Sequence, residues 1–168
     1  AHGAFVDTLL DPGIAANEGL MLIGTDGADS FDIVMGSDDY VYLRGGASAD
    51  SYDITLGDDG KIRIDFHYGA TDDPTQGVIA DLSTGIVAND GYGNSETIVI
   101  GGTGSIVELR ATDQNDSLIG HAGDDRFYMD GGNDTIDGGA GWNSVRYDTG
   151  GMEAVTVDLG AGTATGRH

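Results

Sequence analysis

Gly138-Gly139-Ala140-Gly141-Trp142-Asn143-Ser144-Val145-Arg146 closes a run of four nonapeptides that start at Ala111, Gly120, Met129 and Gly138 with no insertion between them. Their sixth positions are Asp116, Asp125, Asp134 and Asn143, and their eighth positions are Leu118, Phe127, Ile136 and Val145. Glycine fills the fourth position of the last three units, at Gly123, Gly132 and Gly141, and the first position of two, at Gly120 and Gly138. A fixed short period with fixed chemistry marks a solenoid. Glycine lets the first six residues of a unit turn tightly. The last three lie extended, so the eighth side chain faces opposite to the seventh and ninth. One apolar residue in nine cannot bury itself, whereas stacked coils align these residues into a thin core.

The sixth-position carboxylate requires a separate reason. With two units per coil, every second turn falls on the same edge, so Asp116 shares an edge with Asp134 and Asp125 with Asn143. Like charges stacked a few ångströms apart repel. A hard dication that takes carboxylate and carbonyl oxygens removes the conflict. Calcium suits such turns better than magnesium, which demands octahedral geometry and keeps its waters. The chain has no Cys and only four His, which speaks against zinc or copper.

These units resemble the RTX family, the glycine- and aspartate-rich nonapeptides of secreted bacterial proteins, with the pattern GGxGxDx-(large apolar)-x. The resemblance implies an all-β fold, a right-handed parallel β-roll with Ca²⁺ between glycine-rich turns. It also implies metal ligation by Asp116, Asp125 and Asp134, with turn carbonyls around Gly120, Gly123, Gly132, Gly138 and Gly141. Asn143 offers only an amide oxygen, so its site is expected to be weaker. The unit at Ala111 lacks all three glycines and is expected to cap the array.

A worn copy of the same frame runs through Gly24-Thr25-Asp26-Gly27-Ala28-Asp29-Ser30-Phe31-Asp32 and Gly45-Gly46-Ala47-Ser48-Ala49-Asp50-Ser51-Tyr52-Asp53. Between them only Gly36, Asp38 and Tyr40 keep the pattern, and Tyr42-Leu43-Arg44 read as extra residues that break it. Calcium is expected at Asp29, Asp50 and Asp38, with Gly24 and Gly27 shaping the first turn. Lys61–Phe66 alternates as a half-exposed strand. Glu96–Ile100 and Ser105–Leu109 read as strands, and residues 69–77 and 88–95 as loops. A longer repeat relates Val78–Gly85 to Val155–Gly162, each copy following a nonapeptide array after a less regular stretch. The chain is accordingly divided into an unassigned extension (1–19), a degenerate array with its following strand (20–68), a linking segment (69–110), the regular array (111–147) and a second linking segment (148–168). That last segment and the missing initial Met suggest a piece of a longer protein.

Composition narrows the function. The formal net charge is −22, and Glu occurs only at Glu18, Glu96, Glu108 and Glu153 among 29 acidic residues. A merely solvated acidic chain uses Glu freely, whereas short Asp side chains suit ligation from a turn. There is no basic patch for nucleic acid and no apolar run of membrane-spanning length. Together with this composition, the RTX resemblance implies a calcium-binding module of an exported bacterial protein, extracellular or at the cell surface, that folds on Ca²⁺ after type I secretion. The alternative is an adhesive or polysaccharide-binding module using Arg126, Tyr128, Arg146, Tyr147 and Tyr92. An enzyme is not expected, since no nucleophile, metalloprotease or phosphate-loop motif is present. Asp65, His67, Asp72 and Asp73 are the residues an acid–base reading would use. His121 is expected to be exposed, and Asp11-Pro12 and Asp73-Pro74 are noted as cleavable bonds.

Overall fold

The computed structural model describes residues 19–68 and 73–148, together with the backbone of three short strands at 5–7, 156–158 and 163–165. The strands, in chain order, are β1 (Phe5–Asp7), β2 (Gly19–Ile23), β3 (Ser30–Val34), β4 (Tyr40–Arg44), β5 (Ser51–Thr55), β6 (Lys61–Asp65), β7 (Val78–Asp81) and β8 (Ile86–Asp90). They continue with β9 (Glu96–Gly101), β10 (Ile106–Arg110), β11 (Ser117–Ile119), β12 (Asp125–Tyr128), β13 (Asn133–Asp137), β14 (Ser144–Arg146), β15 (Thr156–Asp158) and β16 (Thr163–Thr165). No helix occurs among the described residues.

The strands form two sheets. One has six strands in the order β14-β12-β10-β6-β4-β2, parallel throughout. The other has ten, in the order β1-β3-β5-β9-β8-β7-β11-β13-β16-β15. Through most of its length the chain alternates between them. Strand alternation then decides burial: Val41, Leu43, Ile62, Ile64, Val107, Leu109 and Phe127 point inward from the smaller sheet. Phe31, Ile33, Tyr52, Ile54, Ile98 and Leu118 meet them from the larger one. The Phe31 and Tyr52 rings stack at 5.1 Å in adjacent strands. Each fully buried residue of this size contributes about 1.5–3 kcal/mol, so a core only two sheets thick depends on every pass.

Several expectations change. In the upper stack, paired residues stand two nonapeptides apart (Ser117↔Thr135, Arg126↔Ser144), as the repeat requires. In the lower stack the coils are longer (Tyr40↔Lys61, Ser30↔Ser51), by as much as Tyr42-Leu43-Arg44 add. Those residues therefore do not interrupt a period. They lengthen β4 to five residues, and β3, β5 and β6 are equally long. The parallel order is also broken twice. Both copies of the longer repeat form antiparallel hairpins in the larger sheet, β7/β8 and β15/β16. The first sits between β9 and β11, and β8 runs into the span read as a loop. The unit at Ala111 caps nothing: β10 and β11 lie inside their sheets, between β6 and β12 and between β7 and β13. Within the unassigned extension, β1 adds to β3.

The outer face of the smaller sheet explains where the few cations go. Of the seven basic residues in the chain, Arg44, Lys61, Arg63, Arg110, Arg126 and Arg146 lie on its strands. Pairing places Tyr42, Arg63, Glu108 and Arg126 in one cross-strand row and Arg44, Asp65, Arg110, Tyr128 and Arg146 in the next. Glu108 is buried and accepts from Arg63 Nε at 2.9 Å and Arg126 Nη1 at 2.8 Å. Asp65 accepts from the Tyr42 hydroxyl and lies 3.6 Å from Arg44.

Candidate metal centres

The turns between the sheets lie on two edges. The first edge carries residues 24–29, 45–50, 111–116 and 129–134, and the second carries 35–39, 56–60, 120–124 and 138–143. Each turn is short because strands on either side begin and end in fixed register. The sixth-position side chain therefore folds back under its own turn and across to the neighbouring one.

On the first edge this makes a repeated contact. Asp50 Oδ1 accepts from Asp29 N at 2.8 Å, and Asp134 Oδ1 accepts from Asp116 N at 3.0 Å. Within their own turns, Asp29 Oδ2 accepts from Thr25 N at 2.6 Å and Asp116 Oδ2 from Thr112 N at 3.3 Å. All four carboxylates are buried. Burial raises Asp50 to about 6, with Asp29 and Asp90 adding to it. Burial likewise raises Asp116 to about 7 despite N–H donors from Val78 and Thr112, and Asp134 to about 6. Asp29 and Asp50 each keep one buried oxygen, Oδ1 and Oδ2 respectively, with no hydrogen-bond partner.

Two acids outside any repeat complete this cluster. Glu96, at the start of β9, and Asp90, at the end of β8, are both buried. Burial, then the charges of Asp50 and Asp90 and a hydrogen bond shared with Asp50 in the protonated form, raise Glu96 to about 9, while its Oε2 receives no donor. Neither residue lies in a periodic frame, so the motif could not reveal them. The available signal was the scarcity of Glu in an Asp-rich chain.

The glycines take different parts. A Cβ on Gly24 would stand 2.6 Å from Asp29 Oδ2 and collide with the Gly45 carbonyl. One on Gly120 would meet the Gly138 carbonyl at 2.5 Å and collide with Asp125 Oδ2. First-position glycines thus keep open the space where a carboxylate and the next turn's carbonyl converge. Gly138 faces the Asn143 amide in the same way, and Gly123 faces the His121 ring at 2.7 Å. Gly132 and Gly141 have φ of 100° and 83°, so their turns require the left-handed region. Gly27 has neither constraint.

The second edge differs. Asn143 Oδ1 accepts from Asp125 N at 2.9 Å, which pairs these two residues across one coil. Both oxygens of Asp125 are already served by His121, through its backbone N–H at 2.9 Å and ring Nδ1 at 2.8 Å. His121 is buried, against expectation, because its ring folds under the turn onto Asp125. Asn143 Nδ2 donates to the Ala140 carbonyl at 3.0 Å, so an amide occupies the inside of that turn. In the lower stack the frame slips by one residue. Val41, not Tyr40, points inward, so Asp39 takes the sixth-position role and its Oδ2 accepts from Gly36 N at 2.7 Å. Asp38, named from the sequence, is exposed with φ of 64°.

The family model of the RTX calcium-binding nonapeptide repeat, in four copies, matches residues 108–136 and 130–151. Residues 108–151 are an RTX repeat array. The lower stack lies outside that match, as its longer coils would lead one to expect. No curated protein and no solved structure matches the chain.

Outside the edges, the other candidates are dispersed. Arg126, Tyr128 and Arg146 share the outer face of the smaller sheet, but Arg63 and Arg146 lie over the Tyr128 ring at 4.2 and 5.1 Å, and the ring is buried. Tyr147 packs partly against the core, and Tyr92 sits in the turn after β8. Asp65 is committed to Tyr42, Arg44 and the His67 N–H. Asp72 and Asp11-Pro12 lie outside the described residues.

Proposed function

We propose that this chain is a calcium-binding module, a right-handed parallel β-roll interrupted by hairpins, that completes its folding when Ca²⁺ enters the turn edges. The observation that carries the reading is the set of buried, unpartnered carboxylate oxygens on the first edge, Asp29 Oδ1, Asp50 Oδ2 and Glu96 Oε2. Buried acceptors normally have partners, and a buried charge without one is far more costly. Oxygen-only donors close enough to raise one another, as Asp50 does Glu96, suit a hard cation. When bound, Ca²⁺ supplies the positive charge that these oxygens lack.

The first edge would hold the tighter sites, at Asp29 and Asp50 with Glu96 alongside, and at Asp116 and Asp134. Asp125 with Asn143, and Asp39 in place of Asp38, would hold weaker ones, since His121 and the Asn143 amide already satisfy the upper pair. A cation that binds only the folded chain stabilises it by about 2.7 kcal/mol per site at ~100 times its Kd. A few such sites rival the whole stability of an ordinary domain. The same linkage supports export: a chain whose turn-edge carboxylates lack their cation stays unfolded where calcium is scarce and folds outside the cell.

Far-UV circular dichroism of chelator-treated protein during Ca²⁺ titration tests this. The expected result is a steep gain of strand signal with Ca²⁺ and none with Mg²⁺. Trp142 is 74 % exposed in the folded chain, so its fluorescence is the poorer reporter. A strand signal that persists unchanged without Ca²⁺ overturns the proposal.

A further inference from the structure

The third potential ligand cluster has different chemistry and uses none of the sixth-position residues. His67 follows β6, Asp113 lies in the turn after β10, and Asp130 lies in the turn after β12. The three passes are locked in register, since Phe66 N donates to Arg110 O at 2.9 Å and Ala111 N to Tyr128 O at 3.0 Å. Register thus brings one side chain from each pass to a common point. His67 Nδ1 lies 3.2 Å from Asp130 Oδ2 and 3.8 Å from Asp113 Oδ1. One ligand atom from each residue falls within 4.8 Å of the others.

The His67 Nδ1 is buried and has no hydrogen-bond partner, although a carboxylate oxygen is 3.2 Å away. Neither oxygen makes a hydrogen bond to the nitrogen, which a shared central ion would instead bridge to both. A tetrahedral ion with bonds of ~2.0–2.1 Å separates its ligands by about 3.3 Å, between the two distances seen. The surroundings fix the donors as an outer shell does. Arg110 donates to Asp130 through Nε at 3.0 Å and Nη2 at 3.3 Å. The His67 backbone N–H donates to Asp65 Oδ1 at 2.8 Å, and its ring meets Tyr68 edge-on at 4.2 Å.

We infer that His67, Asp113 and Asp130 form a site for a first-row transition dication, built on first-edge turns but from donors other than the sixth-position carboxylates. Imidazole nitrogen selects for zinc-like ions over calcium, which takes oxygen donors. Three protein ligands leave one position for water. The site ties the segment after β6 to two turns of the upper stack.

Isothermal titration of the full chain with Zn²⁺, in millimolar Ca²⁺ so that the oxygen sites are filled, tests the assignment. The expected result is one equivalent bound, with His67→Gln and Asp113→Asn each weakening it at least tenfold and a control at the exposed Val99, Val99→Ala, leaving it unchanged. Asp113 is half-exposed, so Asp113→Asn keeps the test valid even where His67→Gln disturbs folding. Co²⁺ should give a visible d–d spectrum that the same variants abolish. No uptake of Zn²⁺, or uptake that both variants retain, overturns the inference and leaves His67 as an ion-pair partner of Asp130. Failure of calcium-dependent folding would show instead in the dichroism and leave this titration to be read in calcium-free buffer.

Discussion

Replacing Glu96 by Gln should stabilise the calcium-free chain and weaken its response to calcium. Burial, with Asp50 and Asp90 nearby, raises the Glu96 carboxyl from 4.5 to about 9. Folded, it keeps its proton up to about pH 9; unfolded, it releases it near 4.5. Its contribution is therefore fully present below the unfolded value and is lost as pH rises through the folded one. Over that window each pH unit removes about 1.4 kcal/mol. At about pH 7.5 the loss is on the order of 4 kcal/mol, a large share of a normal domain's stability. Gln keeps the shape and has no proton to take up, so it escapes this cost. The assay is dichroism of chelator-treated protein with urea between about pH 5 and pH 9. The wild type should gain strand signal on acidification, and Glu96→Gln should depend on pH less steeply. Some slope should remain, because Asp50 and Asp116 are raised in the same sense. With calcium, the variant's midpoint should move to higher concentration, since Gln offers oxygen without charge. Equal pH slopes for the two proteins, or an unchanged calcium midpoint, would refute the placement of Glu96 in a cation site.

Gly120→Ala should cost about 1–3 kcal/mol by overpacking against Asp125 and Gly138, whereas Gly27→Ala, with its nearest neighbour at 3.5 Å, should stay within ~0.5 kcal/mol; thermal denaturation in saturating Ca²⁺ compares them. Glu108→Ala should lose about 3–5 kcal/mol in the same assay, because it strands Arg63 and Arg126 over a buried gap. His121→Ala should lower a weak calcium Kd on the second edge by about tenfold, the worth of one released charged hydrogen bond, as read by calorimetry.

How far the motif carried depends on strand length. In the upper stack, coils of two nonapeptides keep the repeat frame, so Asp116 and Asp134, and Asp125 and Asn143, could be paired from spacing alone. Five-residue strands stretch the lower coils beyond that length, and the nine-residue frame drifts by one at Asp38. The alternation Val41-Tyr42-Leu43, with two inward apolar residues, held the correct register. Asp90, Glu96 and the His67 cluster escaped because they meet through pairing of distant strands, β5 with β9 and β6 with β10. No local period encodes such contacts.

The location of the charge leads to one further expectation, about ordinary salt. A chain of −22 charge could resist folding through repulsion spread over its surface, which ~1 M NaCl would largely screen. The structure places the conflict elsewhere. The cations of the smaller sheet already neutralise Glu108, Asp65 and Asp130 on its outer side. The unpaired oxygens of Asp29, Asp50 and Glu96 are buried at a turn edge, where mobile ions screen poorly. Sodium chloride should therefore leave the calcium-free chain unfolded at neutral pH, while either calcium or protons fold it, one by filling the edge and the other by discharging it. Dichroism in chelator with rising NaCl decides the matter. Recovery of the strand signal by salt alone would place the repulsion on the surface and remove the reason for a cation at the first edge.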